Sequence, residues 1–98
     1  MSDNSRQAYL DKAREQLDAL DRELENLDLK ADKASEQVRH EWERRKLELK
    51  EKRRELSSKF DKAREAADDA FDDVRSSLEE ARKRFADGIR DVRSRLMD

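Results

Sequence analysis

The sequence predicts an all-α protein: a long antiparallel helical hairpin of coiled-coil type, assembling into a dimeric four-helix bundle or rod. Three observations carry that prediction. Apolar residues recur at gaps of three and four along most of the chain. A single glycine and no proline interrupt 98 residues. Asp, Glu, Lys and Arg make up 51% of the chain and hydrophobic residues 34%, the composition of long helices with one apolar seam. Alternating β-branched runs are missing, which argues against strands.

The first helix is expected over about 5–56. In "DNSRQ", Asn4 reads as an N-cap with Gln7 three residues on, a capping-box spacing. Tyr9 and Leu10 open the apolar seam, which continues through Ala13, Leu17, Leu20, Leu24, Leu27, Ala31, Ala34 and Val38. Alternating gaps of three and four make this a heptad seam. Trp42 then follows four residues after Val38, a stutter, and Leu49, Leu56 and Phe60 continue with Arg45, Lys46 and Arg53 between them. Long Arg and Lys stems can cover a seam while keeping their charge in water.

A turn is expected at Ser57–Ser58. Ser58 and Asp61 have capping-box spacing, and Lys50, Lys52, Arg53 and Arg54 crowd the preceding turns, where cations favour a helix C-terminus. Charge blocks support a fold-back. Residues 18–31 hold five acids and two bases, 82–95 two acids and six bases. Residues 39–54 hold four acids and eight bases, 59–74 six acids and three bases. Turning at the serines sets each block against its opposite and aligns Leu17 with Leu96, Leu20 with Val92, Leu24 with Ile89, Leu27 with Phe85 and Trp42 with Phe71. Two alternatives stay open. One is a continuous helix pairing antiparallel with a second copy. The other turns near 31–35 as well, bringing acidic 11–28 to basic 39–54.

The second helix is expected over about 58–97. Ala63, Val74, Phe85 and Leu96, and Ala67, Leu78 and Ile89, repeat every eleven residues, with Phe71 and Val92 on the same broad stripe. The resulting core and oligomer seam comprises Tyr9, Leu10, Leu17, Leu20, Leu24, Leu27, Val38, Trp42, Phe71, Val74, Leu78, Phe85, Ile89, Val92 and Leu96. In the hairpin register Tyr9, Leu10 and Ala13 overhang, which calls for a second chain.

No catalytic, cofactor or metal site is expected. Cysteine is absent, so thiol chemistry and thiolate sites are excluded. His40, the only histidine, sits four residues after Glu36, but one His among scattered carboxylates matches no metal framework. "ADDAFDD" lacks the glycine and spacing of a calcium loop and reads as an acidic patch facing basic 39–54 in the same or another chain. "VRHEWERRKLELKEKRR" is the best nucleic-acid candidate, yet four glutamates interrupt it and Trp42 falls on the apolar stripe, so nucleic acid is not an expected partner. The net charge of −2 gives no global pull towards anionic polymers. The polar start "MSDNSRQ" carries no signal peptide, and no apolar run is long enough to span a membrane, so a cytoplasmic protein is expected.

The stretches "AYLDKAREQLDALDRELENL", "KADKAS", "HEWERRKLELKEKRREL" and "AADDAFDDVRSSLEEA" resemble a widespread group of small bacterial coiled-coil proteins of uncharacterised function. Residues 60–96 are more loosely similar to apolipoprotein-like and phasin-like eleven-residue-repeat helices. The first resemblance implies no catalytic residue. The expected function is therefore non-enzymatic: a coiled-coil scaffold or adaptor whose partner is a second copy or another coiled-coil protein. The alternative is an amphipathic binder of a lipid or hydrophobic granule surface, resting on Phe60, Phe71 and Phe85.

Overall fold

Three helices, not two, build the molecule. Helix α1 spans Asp3–Asp32, α2 spans Glu36–Glu65 and α3 spans Asp68–Val92, and the last turn, Arg93–Met97, widens to π-type bonding. The computed structural model describes residues 3–97, with side-chain surroundings described for 5–96. Two short reversals fold the helices into a rod of 52 × 18 × 17 Å. Helix α1 runs antiparallel to α2, as the pairs Asp28–Lys46 and Asp21–Arg53 show. Helix α3 runs antiparallel to α2, with Arg84 beside Glu55 and Gly88 beside Leu49. Helices α1 and α3 are therefore parallel, and Arg6 meets Asp68 at one end.

The first reversal falls at 33–35, inside the region of the three-helix alternative. Lys33 and Ala34 N–H groups close back on the Lys30 and Ala31 carbonyls, tightening the end of α1. Ser35 is extended at φ −63°, ψ 160°, and its hydroxyl accepts from the Val38 N–H at 3.3 Å, which caps α2. Glu36 places a negative charge on the first turn, where the helix dipole favours it.

The turn expected at Ser57–Ser58 is not there: α2 passes straight through both serines. The reason is the stripe. Trp42, Leu49, Leu56, Phe60 and Ala63 stay in phase across the serines and are all buried. A reversal at residue 57 would split that stripe, and each large apolar side chain kept out of water contributes about 1.5–3 kcal/mol. The second reversal comes instead at Ala66–Ala67, both extended, at ψ 144° and 160°. Asp68 and Asp69 then open α3, while Lys62 and Arg64 close α2, so charges on both sides of the break complement the helix dipoles.

These breaks change the register. Trp42 packs near the 33–35 end, where it meets Asp28, whereas Phe71 packs near Arg6 and Tyr9 at the other. The expected Trp42–Phe71 layer is absent, since roughly 36 Å of α2 separates Trp42 from Ala66 at 1.5 Å per residue. Leu17 does not pair with Leu96 across a hairpin, because α1 and α3 are parallel. The eleven-residue repeat does not cross the break: Ala63 belongs to α2 and Ala67 to the break. Beyond it, Val74, Phe85 and Leu96, and Leu78 and Ile89, keep that spacing alongside a seven-residue seam of Phe71, Leu78, Phe85 and Val92. Asn4 lies inside α1, and its side chain is outside the described residues, so the expected cap cannot be placed there. Gln7 donates instead to Asp11 at 2.9 Å.

The core is continuous along the rod and all its fully buried members are apolar. Leu10, Ala13, Leu17, Leu27 and Ala31 come from α1; Phe71, Leu78, Ala81, Phe85, Ile89 and Val92 come from α3. Gly88 allows α3 to approach α2 closely, because a Cβ there would stand 2.9 Å from Leu49 Cδ2.

Replacing both Ser57 and Ser58 with Ala tests the path of α2. Inside a helix, Ala exceeds Ser by a few tenths of a kcal/mol per site, so denaturant unfolding should show a small gain in stability. If Ser58 instead began a helix, losing its cap would cost about 1 kcal/mol.

Candidate functional site

The most organised polar chemistry in the molecule lines the seat of α1 on the other two helices. At the α2–α3 corner the last carbonyls of α2 have no helical partner, and Ala67 offers α3 no side-chain cap. Arg6 reaches them from α1. Its Nη2 donates to the Ala63 carbonyl at 3.1 Å, the Arg64 carbonyl at 3.3 Å and the Ala66 carbonyl, and its Nη1 donates to Asp68 Oδ1 at 3.1 Å. The same guanidinium lies over the Phe71 ring, 4.6 Å from its centroid. One planar cation thus caps α2, pairs with the first residue of α3 and stacks on the α3 seam.

One turn further, Tyr9 packs edge-on against Phe71, with ring centroids 6.0 Å apart, and its hydroxyl donates to Glu79 Oε1 at 2.5 Å. Burial, reinforced by the Glu79 carboxylate, pushes the Tyr9 phenol above its usual range. The Tyr9 hydroxyl, helped by Arg82, holds Glu79 below the usual carboxylate range. Arg82 donates to Glu79 Oε2 at 3.0 Å, so that carboxylate is shared between helices.

Along the α1–α2 face the polarity is one-directional: α1 supplies acids and α2 supplies bases. Arg53 grips Asp21 with two bonds of 2.6 and 2.9 Å. Lys46 and the Trp42 indole both donate to Asp28 Oδ1, at 2.9 and 2.8 Å. The Lys46 bond first, and then the Trp42 bond, lower the Asp28 pKa. Lys46 and Arg53 are raised by their hydrogen bonds to Asp28 and Asp21. Basic 39–54 is therefore matched by α1.

"ADDAFDD" lies at the end of the rod away from Trp42, and its Asp68 pairs with Arg6, so within one chain the patch does not face 39–54. His40 sits 3.9 Å from Glu36 with both side chains exposed, and among the described residues no group of three or more His, Asp or Glu is placed to hold a metal ion.

The expected seam residues divide cleanly. Leu10, Leu17, Leu27, Trp42, Phe71, Leu78, Phe85, Ile89 and Val92 are fully buried, whereas Tyr9, Leu20, Leu24, Val74 and Leu96 pack half-buried against them. Val38 is half-buried at the first reversal. Trp42 is only 1% exposed, which removes it as a stacking platform for bases. Arg6, Asp21, Asp28, Arg53 and Glu79 escape sequence reasoning because their partners lie 14 to 70 residues away. The bias of acids on 11–28 towards bases on 39–54 is the one signal pointing to Asp21 and Asp28.

Among the described residues, no helix is long and apolar enough to cross a membrane. No protein-family model, curated protein or solved structure matches the chain.

Arg6→Ala should destabilise the protein by about 1–3 kcal/mol in chemical denaturation, since it leaves carbonyls at a half-buried corner without a donor. Arg6→Lys should recover little, because a single ammonium cannot span three carbonyls and a carboxylate. Asp68→Asn should cost under about 0.5 kcal/mol, as this carboxylate is 91% exposed. Equal losses for Arg6→Ala and Asp68→Asn would show that the ion pair, not the capping, holds the corner.

Proposed function

We propose that the protein is a non-enzymatic interaction module, a scaffold or adaptor that works by helix–helix association with a second helical chain. One observation carries this reading. The apolar stripes of all three helices converge on each other, and the side chains on which a lipid-surface reading depends are in that core: Phe60 is 7%, Phe71 5% and Phe85 0% exposed. A surface binder needs those rings outward in one plane. Here they would have to leave a packed interior first, at a cost of several kcal/mol.

The way α1 is held supports the same reading. Its bonds to α2 and α3 are directional, charge-matched and distributed along the rod, so they favour one register over others. That is the grammar by which helical partners recognise each other. Among the described residues the exposed large apolar side chains are Leu29 and Leu47, each flanked by charged residues in sequence.

Flotation with vesicles of phosphatidylcholine and phosphatidylglycerol separates the two classes. At physiological salt the protein should stay in the dense fraction while retaining full helicity. Co-flotation that survives raised salt would reject the helix–helix reading in favour of a surface binder.

A further inference from the structure

We propose that α1 is an exchangeable element: the first reversal opens into a continuous helix spanning residues 3–65, and two copies trade α1 to form an antiparallel dimer. This inference rests on the helix–helix reading above and names its partner as a second copy of this chain.

The first observation is the reversal itself. It contains no glycine or proline, and no residue among those described has positive φ. Ser35 already has a helical φ of −63°, and its departure from helix lies in ψ, at 160°. A rotation about ψ at Ser35, with the tightened last turn of α1 relaxing to helical bonding, joins α1 to α2. Lys33, Ala34 and Ser35 carry no property that resists being helical.

The second observation is what the closed form leaves half-covered. The heptad seam runs in phase through the reversal, yet Ala34 and Val38 are only half-buried there, while Ala31 is 1% exposed. In the closed form Asp28 faces Trp42 and Lys46, and Asp21 faces Arg53. Two straightened copies placed antiparallel in that same register reproduce every one of these contacts between chains. Continued inward, the register sets Ala34 of each copy against Val38 of the other. Those are the two seam residues at the reversal that a single copy leaves half-buried.

The third observation is the Arg6 corner. Its bonds run from α1 to the α2–α3 break, so an α1 from a second copy supplies the same cap. Each half of the dimer is then a complete three-helix rod. The exchange conserves the packing and adds the Ala34–Val38 junction. Against it stand the entropy of association and the lost Ser35 cap.

Two variants act on the two forms in opposite directions. Glu36→Pro puts proline at the first position of α2, where its missing N–H costs nothing, and holds Ser35 in the extended conformation it already has. The closed form tolerates it; the continuous helix does not. Ser35→Ala removes the cap, which only the closed form uses, and favours the continuous helix.

Sedimentation equilibrium from micromolar to millimolar concentration should show a monomer–dimer equilibrium for the natural chain. Ser35→Ala should tighten it by roughly thirtyfold, two caps being released per dimer. Glu36→Pro should weaken it by at least roughly a hundredfold, with unchanged helicity at low concentration. A Glu36→Pro dimer as tight as the natural one overturns exchange and leaves helix–helix association standing by another surface. No dimer in either the natural chain or Ser35→Ala also overturns exchange, and the vesicle experiment then decides the broader reading by itself.

Discussion

The guanidinium of Arg6 is the constraint on which the rest of this rod depends. A helical chain with neither proline nor glycine at its reversals has few local devices for turning: Ser35 caps the first, and no side chain caps the start of α3 at the second. At 66–67 the chain breaks through two alanines, residues that individually favour helix. What makes the break sustainable is a donor set brought from the far end of the sequence, with Arg6 on the carbonyls of Ala63, Arg64 and Ala66 and on Asp68. Docking of α1 and reversal of α2 into α3 are consequently one event. The corner is capped only when α1 is in place, and α1 is anchored at its start by that corner.

Apolar burial and charge then divide the labour. The stripes decide that three helices associate; they do not by themselves choose a register, since any two heptad stripes can be slid into phase. Register comes from polar contacts at the core's edge: Tyr9 on Glu79, Trp42 and Lys46 on Asp28, and Arg53 on Asp21. Each joins residues 14 to 70 positions apart, and two of them tie an aromatic of the core or its edge to a carboxylate. Displacing α1 by one turn would leave the half-buried Tyr9 hydroxyl and the buried Trp42 indole without their partners.

How much of this is legible in the sequence follows from the range of the interactions. Stripes are local, so the seam from Leu10 to Val38 and the buried Trp42, Phe85 and Ile89 are readable from spacing. Reversals are not. Ser58 and Asp61 have the spacing of a cap, and Lys50 to Arg54 look like a helix end, yet both signals lose to Leu56, Phe60 and Ala63 continuing the α2 stripe. The true start of α2 carries a weaker local mark, Ser35 followed by Glu36. The start of α3 is marked only by a switch from Lys62 and Arg64 to Asp68 and Asp69. Arg6 leaves no mark at all, because its partners lie 57 to 62 residues away. The charge blocks of 11–28 and 39–54 point to the α1–α2 pairing, but the blocks also fit a hairpin, and burial of α2 across the serines separates the two.

The molecule is a charged rod whose register is set at the seat of one helix, and the distance between α1 and the end of α2 tests that arrangement most directly. Asp11 and Arg64 are both exposed and line one cleft. Spin labels at these two positions, diluted with unlabelled protein at low concentration, should report a short intramolecular distance, of the order of the 8–10 Å between packed helix axes plus the label tethers. A chain turning at Ser57–Ser58 would separate them by roughly 57 Å, and an unbroken helix by roughly 80 Å, at 1.5 Å per residue. Either long distance would contradict the three-helix account.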